Sequence, residues 1–104
     1  MTTEVEMDNR VLEHAPEGIE ELIPGYLRNR HADLHALAEA LGRGDYDAMR
    51  ILGHNMKGTG SGYGFAEISD IGKDLEAAAK ERSSDGLRAQ IANLSEFLNR
   101  LQVD

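Results

Sequence analysis

The sequence predicts an all-α protein: an antiparallel up-down-up-down four-helix bundle with a short extra N-terminal helical segment. Three observations carry that expectation. Four stretches of about 15 to 19 residues repeat apolar side chains at the i, i+3, i+4, i+7 spacing of one helix face. No stretch alternates apolar and polar residues as a half-buried strand does. The connections are only a few residues long, which makes successive helices antiparallel neighbours. The 104 residues suit one compact domain. At 40% hydrophobic residues, with three Tyr, two Phe and no Trp, the core must be mostly aliphatic.

Residues 1–15 are weakly periodic and read as an N-terminal arm or linker, with Val5, Val11 and Leu12 as apolar points that let it lie on the body; the domain proper is expected over 16–104. Pro16-Glu17-Gly18 opens a short helical segment, Glu17 to Ile23, whose Glu17, Glu20 and Glu21 complement a helix N-terminus. Pro24 is expected to end or kink it, because a proline pushes the preceding Ile23 away from the α region. It suits the first turn of the next helix, about Pro24 to Leu41. Leu27, Leu34, Leu37, Ala38 and Leu41 form the stripe of that helix, and Gly42-Arg43-Gly44 stops it.

Asp45 is an N-cap for a second helix, which carries Ala48, Ile51, Leu52, Met56, Thr59 and Tyr63 on one broad face and ends near Gly64. A third runs from about Ala66 to Arg82, with Ile68, Ile71, Leu75, Ala78 and Ala79 inward. Its Glu67, Asp70, Asp74 and Glu76 read as a solvated acidic face. Ser83-Ser84-Asp85-Gly86 is a turn. The last helix, about Leu87 to Leu101, repeats Leu87, Ile91, Leu94, Leu98 and Leu101.

Charge and composition exclude several functions. A net charge of −8 is ill suited to nucleic acid or to anionic membrane surfaces, both of which require clustered Lys and Arg. Without cysteine there are no disulfides, thiolate chemistry or Cys-type zinc sites. No apolar run approaches the roughly 20 residues that span a bilayer, and the polar, acidic start MTTEVEMDNR is unlike a signal peptide. A cytoplasmic location is the expectation.

The stretch LGHNMKGTGSGYGF, residues 52–65, is the anomaly. It holds five of the 11 glycines in a region that otherwise reads as helix, where each glycine costs roughly 1 kcal/mol against alanine. On a helix, His54 shares its face with Lys57, Gly58 and Ser61, and with Arg50 one turn earlier. Two cations therefore flank an imidazole, a group that can be neutral near pH 7 and hence nucleophilic. Nothing bulky stands at position 58. Positive charge beside an exposed histidine suits a phosphoryl group on the ring nitrogen. Gly53, Gly60 and Gly64 fall on another side, where close packing and helix termination explain them.

Other candidates are weaker. The glycines do not make a Walker A loop, because the lysine precedes Gly58 and Thr59 follows it directly; nor do they fit G-x-G-x-x-G, and no strand precedes them. His31 and His35, at i, i+4, have a chelating spacing, with Asp33 and Glu39 near. They flank the leucine stripe, so a solvated helix face is the plainer reading. His14 lies in the arm.

His54, then Lys57-Gly58, then small residues up to Gly64 resembles the motif of the histidine phosphotransfer (HPt) domain family. The resemblance covers about Glu20 to Leu101. It implies that His54 is the phosphoacceptor, that Lys57 helps hold the phosphoryl oxygens and that Gly58 gives steric access. Arg50 and Ser61 would be partner contacts. It further implies a phosphorelay of a two-component system, in which His54 accepts a phosphoryl group from the aspartyl phosphate of one receiver domain and passes it to another. The Mg²⁺ belongs to the receiver, so no metal or cofactor is expected here. A monomeric carrier without kinase or ATPase activity of its own follows, with receiver domains of response regulators or a hybrid histidine kinase as partners. Gly60 and Gly62 depart from the family pattern, which commonly has alanine or serine there. The alternatives are a non-catalytic helical adaptor that binds a receiver or kinase domain, and a metal-binding bundle through His31 and His35.

Overall fold

The computed structural model describes residues 18–102; the expected arm, residues 1–15, lies outside them. Four α-helices follow one another: α1 (Ile19–Arg43), α2 (Tyr46–Thr59), α3 (Ala66–Lys80) and α4 (Ser84–Gln102). A 3-10 turn, Ser61–Tyr63, separates α2 from α3. The described residues contain no strand.

The helices close a ring in which α1 touches α2 and α4, and α3 touches α2 and α4. Directions follow from pairs of contacts. Near its start, α1 brings Tyr26 to Thr59 at the end of α2, while Asp45 N–H donates to the Ala40 carbonyl at the other end. Gly53 lies against Glu76 and Gly60 against Ser69, so α3 descends where α2 rises. Arg100, late in α4, pairs with Glu67, early in α3. Each neighbour is antiparallel, the up-down-up-down order that short connections require.

The boundaries differ from expectation in four places. The separate segment over Glu17–Ile23 does not occur among the described residues: α1 runs unbroken for 25 residues with Pro24 inside it. A proline there forfeits one hydrogen bond, to the Glu20 carbonyl. Both residues are exposed, a setting in which a freed carbonyl can turn to solvent. Helix α2 stops at Thr59, and Tyr63 belongs to the 3-10 turn. Helix α3 stops at Lys80, and Arg82 takes a left-handed conformation with φ 55°. Helix α4 begins three residues before Leu87, because the Ser83 hydroxyl accepts the Gly86 N–H at 3.0 Å and caps it.

Leu37, Met49, Met56, Ile68, Leu75, Leu87, Leu94 and Leu98 are fully buried, each stabilising the fold by about 1.5–3 kcal/mol relative to exposure. The apolar stripes are narrower than the periodicity suggests. Ala38 and Thr59 are exposed, and Ile51 is 46% exposed. Tyr26, not assigned to the core from sequence, is only 6% exposed.

The tightest packing lies between α2 and α3. A Cβ on Gly53 would stand 2.7 Å from the Glu76 backbone nitrogen and 2.8 Å from the Gly72 carbonyl oxygen. A Cβ on Gly72 would meet the Lys57 backbone nitrogen, and Met56 Cβ at 2.7 Å. Only glycine lets the two backbones approach so closely. This contact brings the middle of α3 against the helix that carries His54.

Candidate functional site

Helix α2 begins where the Asp45 carboxylate accepts the Ala48 N–H at 3.1 Å, an N-cap in the position the sequence suggests. Two turns on, the helix presents His54 outward; its side chain is 62% exposed. Lys57 emerges one turn later on the same face.

Both meet a residue that, by sequence alone, belongs to a solvated acidic face. Glu76 of α3 is 8% exposed. Its Oε2 lies 3.1 Å from His54 Nδ1, and its Oε1 accepts from Lys57 Nζ at 2.9 Å. Lys80, one turn further along α3, stands 3.9 Å from Oε2. Gly53 and Gly72 explain this burial: they draw α3 so close that its flank at Glu76 is covered by α2. The lysine hydrogen bond holds the Glu76 carboxyl below the usual carboxylate range. Burial pushes the other way, and the His54 hydrogen bond and the charges of Lys57 and Lys80 reinforce the lowering. The signal in the sequence was faint: Glu76 stands four residues after Gly72 and three before the buried Ala79.

The geometry fixes the imidazole tautomer. An ionised carboxylate only accepts hydrogen bonds, so Nδ1 carries the hydrogen and donates it to Glu76 Oε2. In the neutral ring this leaves the lone pair on Nε2. A base oriented by a buried carboxylate, with an ammonium one turn away, is equipped for nucleophilic attack on an electrophile bearing negative charge.

The remaining candidates fall out as follows. Gly58 is exposed, and a Cβ built on it has nothing within 4 Å. Packing within this chain therefore does not require a glycine there. Arg50 is engaged by Asp47, with Nη2 at 2.8 Å and Nε at 3.2 Å from one carboxylate oxygen. Ser61 lies beyond the helix end, in the 3-10 turn, and its hydroxyl bonds Ser69 Oγ at 3.2 Å. Gly60 is packed against Ser69 and Phe65, and Gly64 ends the turn with φ 90°, both as packing and termination required.

On α1, Asp33 is bound to Arg30 at 2.8 Å with both side chains largely buried. His35 is exposed. His31 is half-buried rather than outward, lining a cavity of about 240 Å³ with Leu27, Leu98 and Leu101 between α1 and α4. Among the described residues, no three His, Cys, Asp or Glu side chains gather as a metal site would need. Nor is any helix among them long and apolar enough to cross a membrane.

Comparison with known proteins gives one result. A protein-family model described as Hpt domain matches residues 21–104. No curated protein and no solved structure matches.

Proposed function

The chain belongs to the Hpt domain family, and on that premise we propose that it carries a phosphoryl group on Nε2 of His54, taken from the aspartyl phosphate of one receiver domain and delivered to another. Family membership gives a phosphotransfer role in two-component signalling. The residue, the partners and the direction are our reading.

One observation carries it: His54 Nδ1 is held by the buried Glu76, 3.1 Å away, so Nε2 is the nitrogen free to react. In the forward step the Nε2 lone pair attacks phosphorus. The bond from phosphorus to the aspartyl oxygen breaks, its electron pair leaves with the carboxylate, and an N–P bond forms. Nδ1 keeps its hydrogen throughout. The phosphorylated ring bears positive charge, which the Glu76 carboxylate stabilises. Delivery to a second receiver is the same step reversed, so no other proton donor or acceptor is needed.

Lys57, with its side chain 43% exposed, is placed to turn from Glu76 toward the phosphoryl oxygens. Gly58 leaves the approach to the ring open. Arg50 and Ser61 are the nearby polar groups offered to a docked receiver. Mg²⁺ for the reaction is assigned to the receiver, and the transfer rests on positioning and charge stabilisation.

The test is direct. The protein is mixed with receiver domains phosphorylated by acetyl phosphate and assayed for acid-labile, base-stable phosphate. Label is expected on the unmutated chain and absent from His54→Gln. Label that persists in the variant would assign the acceptor elsewhere. Binding of a receiver without any label would favour the adaptor.

A further inference from the structure

We propose that Tyr26 of α1 is a positioning residue for phosphotransfer, acting through Thr59 to hold the last turn of α2 in the register that presents Lys57 and Gly58 beside His54. The inference rests on the function proposed above for His54.

The need arises from the sequence. Between Lys57 and Gly64, four of eight residues are glycine, and such a segment has little helical preference of its own. Yet α2 keeps helical geometry through Thr59, with Gly60 N–H donating to the Met56 carbonyl at 3.0 Å. Something outside the segment must order it.

On the α3 side, Gly60 is pressed against Ser69, whose Oγ accepts the Ser61 N–H at 2.8 Å. On the α1 side the contact is Tyr26. Its ring stacks on Tyr63 with centroids 4.1 Å apart and an interplanar angle of 16°. Its hydroxyl lies 2.8 Å from Thr59 Oγ1. Thr59 Oγ1 itself lies 2.9 Å from the Asn55 carbonyl oxygen, which only accepts, so the single Thr59 hydroxyl hydrogen goes there. Tyr26 must therefore be the donor to Thr59. The result is a directed chain from Tyr26 O–H through Thr59 to Asn55 C=O, spanning the turn that contains Lys57 and Gly58.

A hydroxyl–hydroxyl bond of this kind is dispensable for the bundle, because the Tyr26 ring still fills its place when the oxygen is removed. Its effect is local. Small displacements of groups around a reacting centre have large kinetic consequences, whereas loss of one turn of helix at an edge leaves the global fold intact.

Tyr26→Phe, Thr59→Val and Thr59→Ser are compared in the full chain with the unmutated protein. Phosphohistidine formation from phosphoramidate is followed by mass spectrometry, and amide hydrogen exchange by NMR. For Tyr26→Phe and for Thr59→Val, exchange at residues 57–60 is expected to rise about five-fold, and phosphohistidine formation to slow about 3- to 10-fold. Thr59→Ser is expected to retain both near the unmutated values, and the Tyr26→Phe/Thr59→Val double variant to be no slower than the worse single one. Unchanged exchange, unchanged phosphorylation, or additive effects in the double variant would each overturn the proposal. Absence of phosphohistidine from the unmutated chain would instead overturn the function assigned to His54. The two failures are distinct, because the exchange measurement reads the Tyr26–Thr59 contact without any phosphoryl group.

Discussion

At the scale of single residues, Glu76 concentrates most of the site's electrostatics. One carboxylate, nearly buried, faces an imidazole and two ammonium groups. Removing its charge by Glu76→Gln is expected to slow phosphorylation of His54, since the amide neither fixes the Nδ1–H tautomer as firmly nor offsets the charge on the phosphorylated ring. The same substitution tests the pH dependence of stability. Because folding lowers the Glu76 pKa, its contribution is present above the ordinary Glu value of about 4.3 and is lost as pH falls through the folded value. The melting temperature of the unmutated chain should exceed that of Glu76→Gln at neutral pH, and the gap should close on acidification below about pH 4. A gap independent of pH would mean that Glu76 carries no proton linkage. Asp33 works in the opposite sense. Burial raises its pKa despite Arg30, so its contribution is greatest at low pH and declines as pH rises through the folded value.

At the scale of elements, the α2–α3 contact and the exposed flank of α2 use glycine for different reasons, and substitution separates them. Gly72→Ala adds a methyl where the Lys57 backbone nitrogen and Met56 already stand. Overpacking of this kind costs typically about 1–3 kcal/mol, and a drop in melting temperature is expected. Gly58→Ala meets open space and should stabilise the helix by up to about 1 kcal/mol. Gly58→Leu should keep the bundle folded, as seen by circular dichroism, yet cut transfer from a phosphorylated receiver. Transfer at the unmutated rate would mean that receivers do not approach over Gly58. The distinction was half legible in the sequence. The helical wheel set Gly58 on the His54 face and Gly53 and Gly60 on another, but the partner that Gly53 requires, Gly72, is 19 residues away on a separate helix.

At the scale of the whole molecule, net charge sets the background. With −8 on 104 residues, self-repulsion works against the compact state. Salt screens it beyond a Debye length of about 8 Å at physiological ionic strength. Raising the ionic strength from low values should therefore raise the melting temperature; a decrease would show that local pairs such as Arg100–Glu67 outweigh the net repulsion. The ring of antiparallel neighbours keeps α2 between α1 and α3, so His54 sits on a helix braced from both sides: by Tyr26 at Thr59, and by Gly72 and Glu76 at Gly53.

The sequence by itself determined the helices, their order, most of the inward leucine and isoleucine positions and the motif around His54, because each rests on a pattern within one segment. Of the two outcomes it allowed at Pro24, an end or a kink, the end does not occur, because the loss of one exposed hydrogen bond is too small to break a helix that packing sustains. It also placed Ile51 and Thr59 in the core, since periodicity shows which face leans inward but not how far a neighbour covers it. Only the tertiary structure decided which groups from other helices complete the site. Glu76 reads as one more acidic residue on α3 until two glycines bring the backbones together, and Tyr26 reads as a lone aromatic until α1 returns to the end of α2. Burial and hydrogen-bond partnership depend on pairs of residues distant in the chain, and no local pattern specifies them.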